Sequence, residues 1–126
     1  MRLLLDTHVL LWWLAGSRRL PKAAMALIAD PANMIWMSAA SVWEIALKAR
    51  LGRIDVDIHE LEPAAKASGF EALAVTCGHA AAVAALPMHH RDPFDRLLVA
   101  QSVVEDLRLL THDASLSPYG PSVMVV

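Results

Sequence analysis

Five acidic side chains in this sequence sit where chemistry can use them. Asp6 closes the apolar run RLLL, and Glu44 lies inside SVWEIALK. Asp92 and Asp95 stand either side of Pro93-Phe94 in HHRDPFDRLLVAQS, and Asp113 follows LLT in LLTHDASL. Carboxylates gathered at ~5 Å repel by on the order of 3 kcal/mol per ionised pair at an effective dielectric of 20. A divalent cation removes that penalty, and oxygen-only donor sets suit Mg2+ or Mn2+. If these acids converge, they predict a metal centre.

Each acid also has a purely structural reading. Asp92 before Pro93 reads as a helix N-cap with proline at the first helical position. The residue before proline avoids the helical region, which supports that reading. Asp95 then falls in the first helical turn, where its charge complements the helix dipole. With Arg96 beside it and partner acids elsewhere, Asp95 reads as functional. Glu44 would close a capping box with Ser41 if the helix began there, but Ser38 is an equally good start, which leaves Glu44 for function. Asp6 and Asp113 can each cap a following turn, and taken singly neither reading prevails.

The elements that must position these residues alternate along the chain. Arg2–Asp6, Met34–Met37, Glu71–Val75, Arg108–Thr111 and Ser122–Val126 read as strands. Thr7–Ala15, a stretch from Pro21 to about Asp30, Ser38–Leu51, residues 58–68, an Ala-rich stretch to about Leu86 and Pro93–Asp106 read as helices. Val42, Ile45, Ala46 and Ala49 share one helical face, and Gly16 and Gly52 are plausible stops. Strand–helix alternation means a parallel sheet covered on both faces, with its site beyond the carboxyl ends of the strands. Asp6 and Asp113 lie at such ends.

The chain of 126 residues is long enough for one domain with a real core. Its hydrophobic fraction of 56% implies either a doubly covered sheet or apolar surface reserved for a partner. A formal net charge of −2 argues against a generally basic nucleic-acid binder, though not against a local basic strip. No apolar run reaches membrane-spanning length and no signal-peptide pattern stands at the start, so no membrane association is expected. Cys77 is the single cysteine, which rules out an internal disulfide framework and fits a reducing cytoplasm. It is expected to be a small packed residue.

Taken in order and spacing, LLLDTHVLLWWL, SAASVWEIALKARLGRI, HHRDPFDRLLVAQS and LLTHDASL resemble PIN-domain proteins, and most of all the VapC-like toxins of bacterial toxin–antitoxin pairs. The resemblance covers nearly the whole chain. It implies one PIN-like domain over residues 1–126, a three-layer α/β/α sandwich around a mainly parallel sheet, and an endoribonuclease dependent on Mg2+ or Mn2+. The acidic site implied is Asp6, Glu44, Asp95 and Asp113, which serve as both catalytic and metal-holding residues, with Thr111 and Thr7 in support. Water attacks phosphorus in line, and no covalent enzyme intermediate is needed. The resemblance further implies an RNA substrate, a homodimer, and a cognate antitoxin laid over the helices near 7–15, 21–30 and 39–50, which carry Leu10, Leu11, Trp13, Met25 and Leu47. His8 departs from the Asn or Ser usual two residues after the first aspartate. It either meets the site or packs at the helix start.

A polyanionic substrate at an acidic site needs cations nearby. Lys48, Arg50, Arg53, Arg91 and Arg96 are the residues expected to contact RNA phosphates. Of the tryptophans, Trp36 is expected in the core, while one of Trp12 and Trp13 is expected to face outward; base stacking is the minor reading for all four. His89 and His90 are expected in solvent. Two other functions compete. A phosphatase with an aspartate nucleophile would need a second aspartate where His8 stands. A non-catalytic PIN-derived or receiver-like binding module would, in the receiver case, need a late lysine, and residues 67–126 contain none.

Overall fold

A computed structural model describes all 126 residues. The strands are β1 (Arg2–Leu5), β2 (Met34–Ser38), β3 (Glu71–Leu73), β4 (Arg108–Thr111) and β5 (Val123–Val125). The helices are α1 (Thr7–Leu14), α2 (Lys22–Ala29), α3 (Ala39–Arg50), α4 (Ile58–Ala67), α5 (Cys77–Ala82) and α6 (Pro93–Val104). Short 3-10 turns cover Val83–Ala85 and Ala114–Tyr119. The five strands form one sheet in the order β3-β2-β1-β4-β5, and every pairing is parallel. This is the expected α/β sandwich.

Leu3, Leu4 and Leu5 are all fully buried, which requires cover on both faces of the central strand. Successive strand residues point to opposite faces. Accordingly Leu3, Leu5, Ile35, Met37 and Leu110 join Val9, Leu10, Ala24, Ile28, Ile45 and Leu61 in one core. Leu4 and Leu109 join Leu98, Val99 and Leu116 in the other. The first core lies under α1, α2 and α4, and the second under α6. Trp36 alternates away from its strand neighbours Ile35 and Met37 and is half-buried, with the Arg2 guanidinium 5.1 Å from its ring centre.

Gly16 and Gly52 end α1 and α3 in the left-handed region, at φ +60° and +74°, where a side chain would be strained. The apolar excess is divided. Most of it fills the two cores, but Met25, Trp43, Leu47 and Leu51 remain exposed on α2, α3 and the turn after it. No helix is long and apolar enough to cross a membrane.

Candidate active site

β1 and β4 are neighbours, with Leu5 in register with Leu110, so Asp6 and Thr111 emerge side by side at the carboxyl edge. Asp6 is 3% exposed. Its Oδ1 accepts the His8 backbone N–H at 2.9 Å, capping α1, and its Oδ2 accepts the Thr111 hydroxyl at 2.6 Å. Capping and site membership are therefore not alternatives for Asp6: the cap fixes the carboxylate where β1 ends. Thr111 Oγ1 also accepts the Asp113 backbone N–H at 3.0 Å, so one hydroxyl ties the two acidic positions together.

α3 starts at Ala39, because Ser38 caps it by accepting the Ala40 N–H at 3.0 Å. The capping box between Ser41 and Glu44 does not form. Ser41 instead accepts the Thr7 hydroxyl at 2.9 Å in a buried bond between α1 and α3. Glu44, also 3% exposed, lies one turn further on. Its Oε2 accepts from Lys48 Nζ at 2.6 Å, while its buried Oε1 has no hydrogen-bond partner. Buried polar atoms in native proteins are almost always partnered.

Asp92 caps α6 as its sequence context implies, accepting N–H groups of Phe94 at 2.8 Å and Asp95 at 3.2 Å. Asp95 is thereby left with its carboxylate turned to the other acids. Burial first, and then the charges of Asp6, Asp92, Glu44 and Asp113, together raise its pKa to about 8. Asp113 behaves oppositely. The Ser115 hydroxyl, at 2.6 Å, holds it below the usual carboxylate value, against a smaller opposing effect of burial.

His90 also belongs to this site, although solvent exposure was expected of it. Its Nε2 lies 3.7 Å from Asp95 Oδ2 and 3.5 Å from Asp113 Oδ2. Its Nδ1 accepts the Asp92 N–H at 3.1 Å, which places the ring proton of the neutral imidazole on Nε2. His90 thus faces the acids as a donor. Its neighbour His89 is exposed as expected. The sequence signal for His90 was its position two residues before a capping aspartate; two adjacent histidines carry no helical spacing that would have distinguished them.

The chain is similar to known proteins. The PIN domain model matches residues 3–120. The chain belongs to the PIN-domain family. Ribonuclease VapC22 of Mycobacterium tuberculosis is 36% identical over 115 residues, 90% of this chain and 88% of the relative. The fold is also that of VapBC2 from Rickettsia felis, solved bound to a DNA fragment from its promoter, at TM-score 0.69 and 14% identity, covering 100% of this chain and 98% of the other. A toxin–antitoxin complex from Klebsiella pneumoniae superposes at TM-score 0.65 with 22% identity, covering 97% and 95%.

The acidic set of this PIN domain fits a divalent cation. Glu44 offers a buried oxygen with nothing to bond, and burial together with the neighbouring carboxylates raises the pKa of Asp95 to about 8. One oxygen each of Asp95 and Asp113 and one nitrogen of His90 lie within 4.8 Å of one another. With the His90 proton on Nε2, the atoms of that trio able to meet a cation are the two aspartate oxygens.

The basic residues divide sharply. Arg50, Arg53 and Arg91 are exposed, and Lys48 is half-buried against Glu44. Arg96 is 8% exposed and does not face a substrate. Its guanidinium donates to the carbonyls of Pro87, Val83 and Leu86 and to the Tyr119 hydroxyl, at 2.8 to 3.4 Å. Tyr119 also accepts the His90 N–H at 3.1 Å, so Arg96 and Tyr119 together hold the loop that carries His90. The aspartates around Arg96 suggested a phosphate contact; burial makes it a structural tie. Two further expectations fail. Cys77 is exposed at the start of α5 rather than packed, because only His79 of that short helix is buried. Leu10 is fully buried and cannot meet a partner. His8, 60% exposed with Nδ1 3.8 Å from Asp6 Oδ1, stands at the mouth of the site instead of packing.

Two outcomes follow. Arg96→Ala leaves three carbonyls and a phenol short of a donor and is expected to destabilise by about 2–4 kcal/mol. Urea unfolding checks this, and unchanged stability with weakened RNA binding would reverse the assignment. The second concerns pH. The raised pKa of Asp95 means the folded chain holds a proton that the unfolded chain has released between the ordinary value of 3.8 and about 8. The contribution of Asp95 to stability in chelator is therefore greatest at acid pH and declines as pH rises through that window. Asp95→Asn should flatten that part of the urea-midpoint profile; a profile identical to wild type refutes the crowding.

Proposed function

We propose that this PIN domain is the ribonuclease toxin of a VapBC-type pair, an endoribonuclease that hydrolyses RNA phosphodiester bonds at a site holding Mg2+ or Mn2+. The observation that carries this reading is the meeting of Asp6, Glu44, Asp95 and Asp113 at the β1–β4 edge, with one Glu44 oxygen left unpartnered, in a chain that is 36% identical to a named ribonuclease.

Asp6, Glu44, Asp95 and Asp113 would hold the ion. When bound, it polarises the phosphate, offsets developing negative charge and lowers the pKa of water. The remaining work falls to the chain itself. Thr111 fixes Asp6 and the backbone of Asp113 with a single hydroxyl. Thr7 anchors Ser41 one turn before Glu44, which sets the rotation of α3. Lys48 donates to one Glu44 oxygen at 2.6 Å and fixes that carboxylate in a dry position. His90 presents an N–H between Asp95 and Asp113, where a phosphate oxygen can accept it. Arg50, Arg53 and Arg91 supply exposed cations for the RNA backbone.

The partner is a cognate antitoxin, as in the VapBC2 and Klebsiella complexes. Apolar surface suited to a protein chain lies along α1 and α4, where Leu11, Leu14, Val56 and Leu61 line a groove, and along α3, where Trp43 and Leu47 are exposed. A homodimer, an RNA substrate in the cytoplasm and the choice of ion belong to the same proposal.

Asp6→Asn and Asp95→Asn are expected to stay folded and to lose cleavage of a cellular RNA pool by about a hundredfold or more, since even groups behind metal ligands commonly matter 10- to 100-fold. Full activity in either folded variant, or activity in chelator, would sink the proposal. Arg91→Ala is expected to flatten the logarithmic salt dependence of RNA affinity by about 0.7, the loss of one phosphate contact to a single strand. An unchanged slope removes Arg91 from the interface.

A further inference from the structure

Beside the acids runs an open cleft of about 360 Å³ lined by Asp6, His8, Trp12, Arg19, His112 and Asp113. It shares two carboxylates with the catalytic edge, so whatever fills it lies next to the scissile phosphate. Its far wall is aromatic. Trp12 stands between two imidazoles, with the His8 ring centre at 6.0 Å and the His112 ring centre at 5.8 Å, edge-on. Trp12 is half-buried: one side packs on the first core and the rest meets the cleft. Arg19 is exposed and makes no ion pair, although acids stand across the cleft.

An aromatic wall, an uncommitted guanidinium and a phosphate-handling site in one cleft are the parts of a nucleotide subsite. We infer that the cleft binds the base next to the cleaved bond, stacked on Trp12, with Arg19 on an adjoining phosphate. This rests on the ribonuclease reading and adds what the substrate must be. Stacking needs an open base face, which a duplex does not offer, so the scissile bond lies in single-stranded or looped RNA. His112 narrows the chemistry. Its Nδ1 bonds the Val126 backbone oxygen at 2.5 Å, to which the neutral ring donates, leaving Nε2 as an acceptor. A base N–H or a 2′-hydroxyl satisfies it.

The test is the affinity of a labelled short single-stranded RNA for the Asp95→Asn protein, by fluorescence anisotropy, with Trp12→Leu, Trp12→Phe and Arg19→Ala added singly. Leucine keeps the packing on the core, and circular dichroism checks that each variant folds. Trp12→Leu is expected to weaken binding by about fivefold to a hundredfold, the range of one base–aromatic stack. Phenylalanine should retain most of the affinity, and Arg19→Ala should weaken it and reduce its salt dependence. A strand with one abasic position, moved along its length, should bind the tryptophan protein as weakly at one position as Trp12→Leu binds the intact strand. At that position the two losses should not add. Unchanged affinity in Trp12→Leu, or additive losses at every position, overturns the subsite while leaving the nuclease in place. A parent protein that binds no RNA removes both.

Discussion

Repulsion among carboxylates is the constraint around which this structure is arranged. Asp6, Glu44, Asp92 and Asp113 all act on Asp95 at one edge of the sheet, and of the five all but Asp95 have a local compensation. Asp6 accepts a helix N–H and a threonine hydroxyl. Glu44 is paired with Lys48, Asp92 caps α6, and Asp113 is held by Ser115. Asp95 has only the distant N–H of His90, and on it burial and crowding accumulate as a raised pKa. The repulsion therefore concentrates in one carboxylate and one unpartnered Glu44 oxygen, both of which a divalent cation would relieve. On the proposed reading, removing one of these acids would have two opposed effects: it would weaken cation binding and relax the cation-free fold.

Topology decides where that crowding falls. The chain lays down β1, β2 and β3 outward in one direction, then crosses so that β4 and β5 are added on the other side of β1. The reversal point lies between β1 and β4, and sheets of this kind open their crevices there. Asp6 and Asp113 flank that gap, while α3 and α6 bring Glu44 and Asp95 to it. Holding the acids there depends on buried polar contacts outside the acidic set. Ser38 donates to Gln101, which links the start of α3 to α6, and Arg96 fastens the 83–90 loop to α6.

Much of this was legible in the residues because strong local signals agreed. Leu3–Leu5 is an apolar run ended by an acid, Asp92-Pro93 is a cap with its proline, and Gly52 is a helix stop; each is settled within a few residues of chain. The acidic set could be proposed because strand–helix alternation implies a parallel sheet, and a parallel sheet has one functional edge. What could not be read depends on direction in space. Arg96 and Arg91 both adjoin the aspartates, yet only the turn of α6 sends one guanidinium inward to carbonyls and leaves the other in solvent. His89 and His90 differ by one backbone step, and a bond to Tyr119 selects His90. Arg19 was invisible as a site residue, since α1 and a turn must bring it back beside Asp6.

The site also divides by how its members are held, and the division has a chemical use. Asp6, Thr111, Thr7, Ser41 and Glu44 are buried and mutually bonded or closely packed, which favours fixed positions for donors that must be pre-organised. Asp113 is exposed on a short 3-10 turn, and His90 rides on a loop held by side chains rather than by a backbone ladder. A rigid half suits recognition of an ion whose geometry is strict. An adjustable half suits a phosphodiester whose oxygens move as the bond breaks and whose products must leave. Stiffening both halves would favour the bound ion and slow release; loosening both would lose the ion. Placing the strand-borne acid in the core and the loop-borne acid at the surface reconciles the two demands within one edge of a small sheet.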